Sequence, residues 1–382
     1  MDEPTIDQRT RHKGRGALSN RPSRFQPTHC DWDEGISGPN PVTECRPVQA
    51  RSIIARNRSP DIPFEQSLNP YQGCEHGCIY CYARPTHAYL DLSPGLDFET
   101  RLTRKVNAAR QLRRELAHPG YHCRPITLGA NTDPYQPVER EHRITRQVLE
   151  VLATCRHPVS IITKGALITR DLGLLAELAR EKLVSVAISI TTLNDDLKRS
   201  LEPRAPSARA RLQAMAALAA AGVPVTLLFA PVIPALNDAE LEAVLAAAAE
   251  AGASNAAYIL LRLPLEISEL FREWLEQHYP GRAAHVLSLL RQSRGGADYD
   301  SRFGHRMRGT GVFAELLSQR FRLSCKKLGL NMGESPALRC DLFSPPPPQP
   351  GAGHNAAAAM QPDLFDTGDE QTATGPHHTH KE

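Results

Sequence analysis

The chain has 382 residues, 41% of them hydrophobic, and a formal net charge of +3. That supplies a core for one large domain or two ordinary ones, and too little charge to mark a nucleic-acid binder by composition. No stretch approaches the ~18–20 consecutive apolar residues of a membrane span, and the opening "MDEPTIDQRTRHKGRG" has no apolar signal core, so a cytoplasmic protein with no membrane partner is expected.

Residues 1–60 are polar, rich in Arg, Pro and Gly, and lack a sustained apolar period, which predicts an extended N-terminal arm. The stretch "NPYQGCEHGCIYCYARPTH" follows, with three thiols close together. Next, Leu102, Val106, Ala109, Leu112 and Leu116 predict one helix face, as do Ile144, Val148, Val151, Leu152 and Cys155. Between and beyond these lie five β-branched runs: "PITLGAN", "PVSIITK", "LVSVAISI", "VPVTLLFAP" and "AAYILLRLP". Asn237 stands three residues before Glu240, a capping-box spacing, and its helix should end at Gly252. Cys155, on an apolar face, reads as a small core residue.

With a first short strand ahead of the cysteines, this alternation gives about six β/α units, fewer than the eight of a closed barrel, so an open or partial barrel over residues 61–280 is expected. Chemistry in such folds gathers past the strand C-termini. The residues there are Asn131, Thr132 and Asp133; Thr163 and Lys164; Ser189 and Thr191; Pro231 to Asn237; and Arg262.

A basic helical extension is expected over residues 281–340, where Arg291, Arg294, Arg302, Arg306, Arg308, Arg320, Arg322, Lys326 and Lys327 form a run suited either to phosphates or to a solvated face. Residues 341–382 read as a low-complexity, disordered C-terminal tail. Within it "QPDLFD", with Gln361, Asp363, Leu364 and Phe365, resembles the peptide that docks on bacterial sliding clamps, and "CDLF" at residues 340–343 repeats its core.

Cys74, Cys78 and Cys81 are spaced so that one loop can bring three thiolates to one metal centre, with Gly73 and Gly77 easing the tight backbone. A structural zinc would need a fourth ligand, for which His76 and His87 are near, although the spacing fits neither common paired-ligand pattern. Three thiolates on a 4Fe-4S cubane leave one iron open instead. In thiol reactivity and metal binding, the other cysteines show no comparable spacing.

The triplet, with aromatic Tyr80 just before Cys81, resembles the signature of the radical S-adenosylmethionine superfamily. "TDPYQPVER", "AISITTL", "LEPRAPSARARL" and "APVIPALND" extend the likeness, across about residues 50–320, to the DNA repair photolyase-like group related to spore photoproduct lyase, in an uncharacterised bacterial branch that shares the "GRGALSN" arm. The resemblance implies a partial (β/α)6 TIM-type barrel and a lyase-like enzyme that cleaves S-adenosylmethionine reductively at a 4Fe-4S cluster, forming a 5′-deoxyadenosyl radical. It implies Cys74, Cys78 and Cys81 as ligands and Tyr80 against the adenine. Asn131, Thr132 and Asp133 would meet the methionine ammonium, although no Gly-Gly-Glu stands there. Lys164 or Arg204 would meet its carboxylate, and Ser189 the ribose or carboxylate. Implied partners are DNA or another nucleic acid and an electron donor such as flavodoxin or ferredoxin. A substrate other than nucleic acid, and a metal-holding binding protein without turnover, are the alternative readings.

Overall fold

The computed structural model describes residues 13–25, 42–333 and 337–347. Gln361, Asp363, Leu364, Phe365 and Cys30 lie outside these. The strands are β1 (Glu44–Val48), β2 (Ile54–Arg56), β3 (Gln66–Leu68), β4 (Tyr71–Gln72), β5 (Arg101–Lys105), β6 (Ile126–Leu128), β7 (Val159–Thr163), β8 (Val184–Ser189), β9 (Val225–Val232) and β10 (Asn255–Leu260). The α-helices are α1 (Leu96–Thr100), α2 (Ala108–Leu116), α3 (Glu139–His142), α4 (Ile144–Thr154), α5 (Leu172–Arg180), α6 (Asp195–Leu201), α7 (Ala208–Ala220), α8 (Leu241–Glu250), α9 (Ile267–His278), α10 (Pro280–Gln292) and α11 (Gly311–Leu328).

A seven-stranded sheet runs in the order β10-β9-β8-β7-β6-β3-β2. From β3 to β10 every pairing is parallel, while β2 pairs antiparallel with β3. Consecutive strands therefore lie side by side, each returned by a helix, as the alternating pattern predicts. In one row, Leu68, Leu128, Ile161, Val186 and Val225 stand in register. All five are buried and belong to one apolar core. The two outer strands, β10 and β2, are not paired with each other, so the barrel stays open. The β10 edge is covered: Leu260 N–H donates to the Met307 carbonyl (2.9 Å), and the Asn331 side chain accepts from Ala256 N–H (2.8 Å) and donates to its carbonyl (3.0 Å). The segment read as a basic extension thus satisfies a sheet edge that would otherwise invite another strand.

Two local readings change. Leu102 and Val106 do not continue the helix of Leu112 and Leu116, because Arg101–Lys105 is strand β5, pairing with β1 and β4 in a small separate sheet of order β1-β5-β4. The spacing of three and four residues was met by chance across a strand-to-helix junction. Asn237 does not cap α8. Its amide donates to the Thr191 (2.7 Å) and Pro231 (2.9 Å) carbonyls, its carbonyl oxygen accepts from Ile233 N–H (2.6 Å), and Glu240 instead accepts from Thr192 (2.6 Å) and Leu193 N–H (2.6 Å). Gly252, at φ +88°, does follow the helix end. Working caps are Asn194, which accepts from Asp196 and Leu197 N–H, and Ser207, which accepts from Ala210 N–H.

At the N-terminal ends of the strands, Phe343 packs its ring on Tyr121 (5.5 Å between centroids) and His157 (5.2 Å), and Ser344 N–H donates to the Cys155 carbonyl (2.9 Å). "CDLF" at residues 340–343 is thereby part of the folded body. Burial and, after it, the Cys340 thiol push the Cys123 thiol up to about 12. Among the described residues no helix is long and apolar enough to cross a membrane.

Candidate functional site

Because β3 and β6 to β10 are parallel, the segments after them share one edge of the sheet. The cysteine loop is one such segment. Its path is set by Gly73 (φ +75°) and Gly77 (φ +67°), whose added Cβ atoms would fall 2.5 Å from Leu102 and 2.7 Å from Glu99, respectively. Cys74 N–H donates to the Phe98 carbonyl (2.9 Å), which ties the loop to α1, and Glu75 N–H donates to the Gln136 side chain (2.9 Å). Cys74 and Cys78 are buried and Cys81 partly so.

Burial raises the pKa of all three thiols, Cys74 well above the ordinary thiol value, Cys78 to about 12, and Cys81 as well; the charges of Cys78 and Cys81 add to the rise at Cys74, and that of Cys81 to the rise at Cys78. The Lys164 ammonium opposes this at Cys78 and Cys81, and Arg84 at Cys81. Such thiols, poor nucleophiles on their own, suit a centre whose positive charge deprotonates them. Among the described residues no three His, Cys, Asp or Glu side chains close round the position of a single ion. Cluster ligands differ in that each binds a separate iron, so they need not meet on one atom. His76 Nδ1 lies 3.4 Å from Asp133 and His87 Nε2 lies 3.0 Å from the Arg101 carbonyl, while Nδ1 of each ring is buried without a hydrogen-bond partner among the described residues. The donor set fits a cluster held by three cysteines.

Tyr80 is buried and its hydroxyl donates to Glu202, which also accepts from Thr191 (2.5 Å) and pairs with Arg211. Arg211 Nη1 donates to the Ser189 carbonyl (2.9 Å) and Nε to that of Pro206 (3.0 Å). Burial pushes the Glu202 carboxyl up, but Arg211 and Lys164 outweigh it and hold the group at about 2. The Lys164 ammonium stands 5.7 Å from the Tyr80 ring centroid. Tyr80, Lys164, Ser189 and Cys78 thus converge around one buried carboxylate.

In the loop after β6 the Asp133 carboxylate is met by donors of the chain itself. Asp133 accepts from Thr163 (2.6 Å), Tyr135 N–H (2.8 Å) and Lys164 N–H (2.7 Å), with His76 beside it. Burial raises its carboxyl, yet His76 and these donors bring it down to about 2. Thr132 donates to the Tyr71 carbonyl (2.8 Å), while the Asn131 side chain makes no hydrogen bond among the described residues. Arg204 is drawn to Glu75 (2.6 Å), which also accepts from Thr43 (2.8 Å).

Glu202, Arg211, Arg84 and Glu99 were not singled out by the sequence. The signal lay in "LEPRAPSARARL", where Arg211 and Glu202 are the fully buried charges and Arg204 is 38% exposed. At the mouth, Tyr82 is half exposed, and the Arg262 guanidinium lies 5.6 Å from its ring and 5.9 Å from that of Tyr299.

The family model of the radical SAM superfamily matches residues 68–248. An uncharacterized protein of Mycobacterium tuberculosis is 39% identical over 243 residues, covering 62% of this chain and 72% of its own. An uncharacterized protein of Methanocaldococcus jannaschii is 26% identical over 242 residues, covering 63% and 86%. Spore photoproduct lyase complexed with dinucleoside spore photoproduct has a TM-score of 0.54 at 17% identity, over 75% of this chain and 80% of that one. A double mutant of that lyase with bound AdoMet gives 0.54 at 18% identity over the same shares. These structural likenesses establish a common fold.

Proposed function

This chain belongs to the radical SAM superfamily of enzymes, and from that premise we propose that it cleaves S-adenosylmethionine reductively at a 4Fe-4S cluster and acts on nucleic acid. The observation that carries the first part is the convergence of Cys74, Cys78 and Cys81, two buried and one partly buried, on one loop at the sheet's C-terminal edge. When bound, the cluster supplies the electron that breaks a carbon–sulfur bond of S-adenosylmethionine, yielding methionine and the 5′-deoxyadenosyl radical.

The chain's own residues would hold and orient. Lys164, whose ammonium acts on Cys78 and Cys81, meets the methionine carboxylate, with Ser189 at the end of β8 as a further polar group. The free Asn131 amide meets the methionine ammonium, and Asp133, whose acceptors are already filled, holds that loop in place with Thr132. Tyr80 presents its ring to the adenine while its hydroxyl stays on Glu202. Arg204 serves Glu75 and supports the loop from behind. A one-electron donor of the flavodoxin or ferredoxin type, cytoplasmic placement and clamp binding through Leu364 and Phe365 belong to the same proposal.

Support for a nucleic-acid substrate comes from the mouth, where Tyr82, Tyr299 and Arg262 combine stacking faces with a guanidinium, the pairing that single strands use. One observation favours another substrate. Of the basic run, Arg291, Arg302, Arg306 and Arg320 are ion-paired internally and Arg294 is spent on four backbone carbonyls, leaving fewer charges for phosphates. The test is anaerobic reconstitution with iron and sulfide, reduction, and measurement of 5′-deoxyadenosine with and without DNA and RNA. Formation of 5′-deoxyadenosine, stimulated by a nucleic acid in a salt-sensitive way, is expected. A well-formed cluster that gives none would end the cleavage reading; cleavage indifferent to every nucleic acid would end the substrate reading.

A further inference from the structure

We infer that residues 14–24 form a strap that positions the cysteine loop and shields its thiols; this rests on the reading that the loop carries the cluster. Glu99, fully buried, accepts from Gly16 N–H (2.9 Å), Ala17 N–H (2.8 Å) and Arg84 (2.5 Å). Arg84, equally buried, donates from Nε to the Cys78 carbonyl (2.9 Å) and from Nη1 to those of Pro94 (3.1 Å) and Gly95 (2.9 Å). One carboxylate and one guanidinium therefore join the strap's backbone to the backbone of a cysteine.

The contact is too close for any side chain. A Cβ on Gly16 would lie 1.8 Å from the Gly77 carbonyl oxygen, and one on Gly95 would lie 2.2 Å from that of Ser19. Ala17, fully buried, packs in one apolar cluster with Cys78, Ile79, Tyr80 and Leu96. Arg15 also donates to the Glu99 carbonyl (3.0 Å) and to Thr43 (2.9 Å).

Beyond the loop the strap crosses to α9. Ser19 donates to Glu273 (2.7 Å), Arg21 to Glu273 (2.6 Å) and Glu269 (2.6 Å), and Arg24 to Glu266 (2.9 Å). The far anchors are more exposed and are individually weak, whereas lifting the near end would strip a buried carboxylate of two of its three donors. The strap's position and the loop's geometry are thus one cooperative arrangement, in which the strap cannot leave while Glu99 and Cys78 stay as they are.

The experiment uses the full chain with Gly16→Val and, separately, the triple variant Ser19→Ala, Arg21→Ala, Arg24→Ala. In metal-free protein, iodoacetamide labelling of each cysteine is timed by mass spectrometry. In anaerobically loaded protein, loss of the cluster's visible absorbance on exposure to air is timed. Gly16→Val should speed labelling of Cys74, Cys78 and Cys81 about a hundredfold or more, as expected for losing two hydrogen bonds to a buried charge, and shorten the cluster's life in air several-fold. Buried Cys155 and Cys325, far from the strap in the sequence, should label as in the parent. The triple variant should shift the same readouts in the same direction by less, and it decides the matter if Gly16→Val does not fold. Unchanged labelling and cluster life, or equal acceleration at Cys155 and Cys325, would overturn the inference. Failure of the parent to take up iron would count against the cluster reading alone, since the labelling comparison stands without metal.

Discussion

Strands β6 to β10 and the loop from Gly73 to Arg84 adjoin one another, but different forces shape them. Along the strands the buried positions are Ile126, Leu128, Val159, Ile161, Val184, Val186, Val225, Leu227 and Leu260, and their burial is non-directional. Around the loop charged pairs are buried beside apolar residues such as Ile79 and Phe98: Arg84 with Glu99 and Arg211 with Glu202, while buried Glu75 meets the more exposed Arg204. A loop that must leave one face for a cofactor cannot bury apolar surface on all sides, so directed bonds to partners distant in the chain fix its shape. The sheet should tolerate changes by area, and the loop should fail bond by bond.

The largest expected effect tests whether the two regions are separable. Cys78→Ala should abolish 5′-deoxyadenosine formation and visible cluster absorbance while the circular dichroism of the sheet and helices is retained. Collapse of the fold instead would show that the loop organises the barrel. Glu202→Ala should come next, at about 3–5 kcal/mol in urea unfolding, because it leaves the Arg211 guanidinium buried without its carboxylate. A cost below about 1 kcal/mol would mean that water reaches Arg211 and that the loop's neighbourhood is not held by this pair. Leu227→Ala should cost about 2–5 kcal/mol, with iron per folded chain unchanged; altered iron content would break the division between sheet and loop.

That division also explains what the sequence made legible. The runs of β-branched residues found the five later strands of the barrel to within a few residues, since periodic burial is written locally. The cysteine spacing, equally local, marked the loop here proposed to hold the cluster. The small sheet was missed because Leu102 and Val106 satisfy helical and strand spacing alike, and only pairing with β1 and β4 decides between them. Asn237 was misread because its local signal was outbid by the carbonyls of Thr191 and Pro231, one of them 46 residues away. Glu99 and Arg84, 15 residues apart in sequence, look like ordinary surface charges until the strap, 83 residues upstream of Glu99, is seen to close over them.

Acid offers the smallest effect and the finest separation. At the opposite end of the sheet, fully buried His157 has Nε2 2.7 Å from the Tyr121 hydroxyl and donates from Nδ1 to the Pro158 carbonyl (2.9 Å). Burial lowers its pKa to about 4, below the ordinary 6.5. The unfolded chain then binds the extra proton between pH 6.5 and 4, so this contribution is fully present above 6.5 and is lost as pH falls toward 4. By pH 5 the loss should be about 2 kcal/mol, and His157→Gln should remove this slope from the pH dependence of urea unfolding. Glu202 and Asp133 behave in the same sense over a lower window: with folded values of about 2 they stabilise above the ordinary carboxylate range and lose that contribution only as pH falls from about 4 toward 2. Hydrogen exchange at pH 5 should therefore quicken around Tyr121, His157 and Phe343 while the amides of Lys164 and Tyr135, held by Asp133, stay protected. Simultaneous loss at both ends would show that floor and loop open as one unit, and that the contrast between them is one of composition and not of stability.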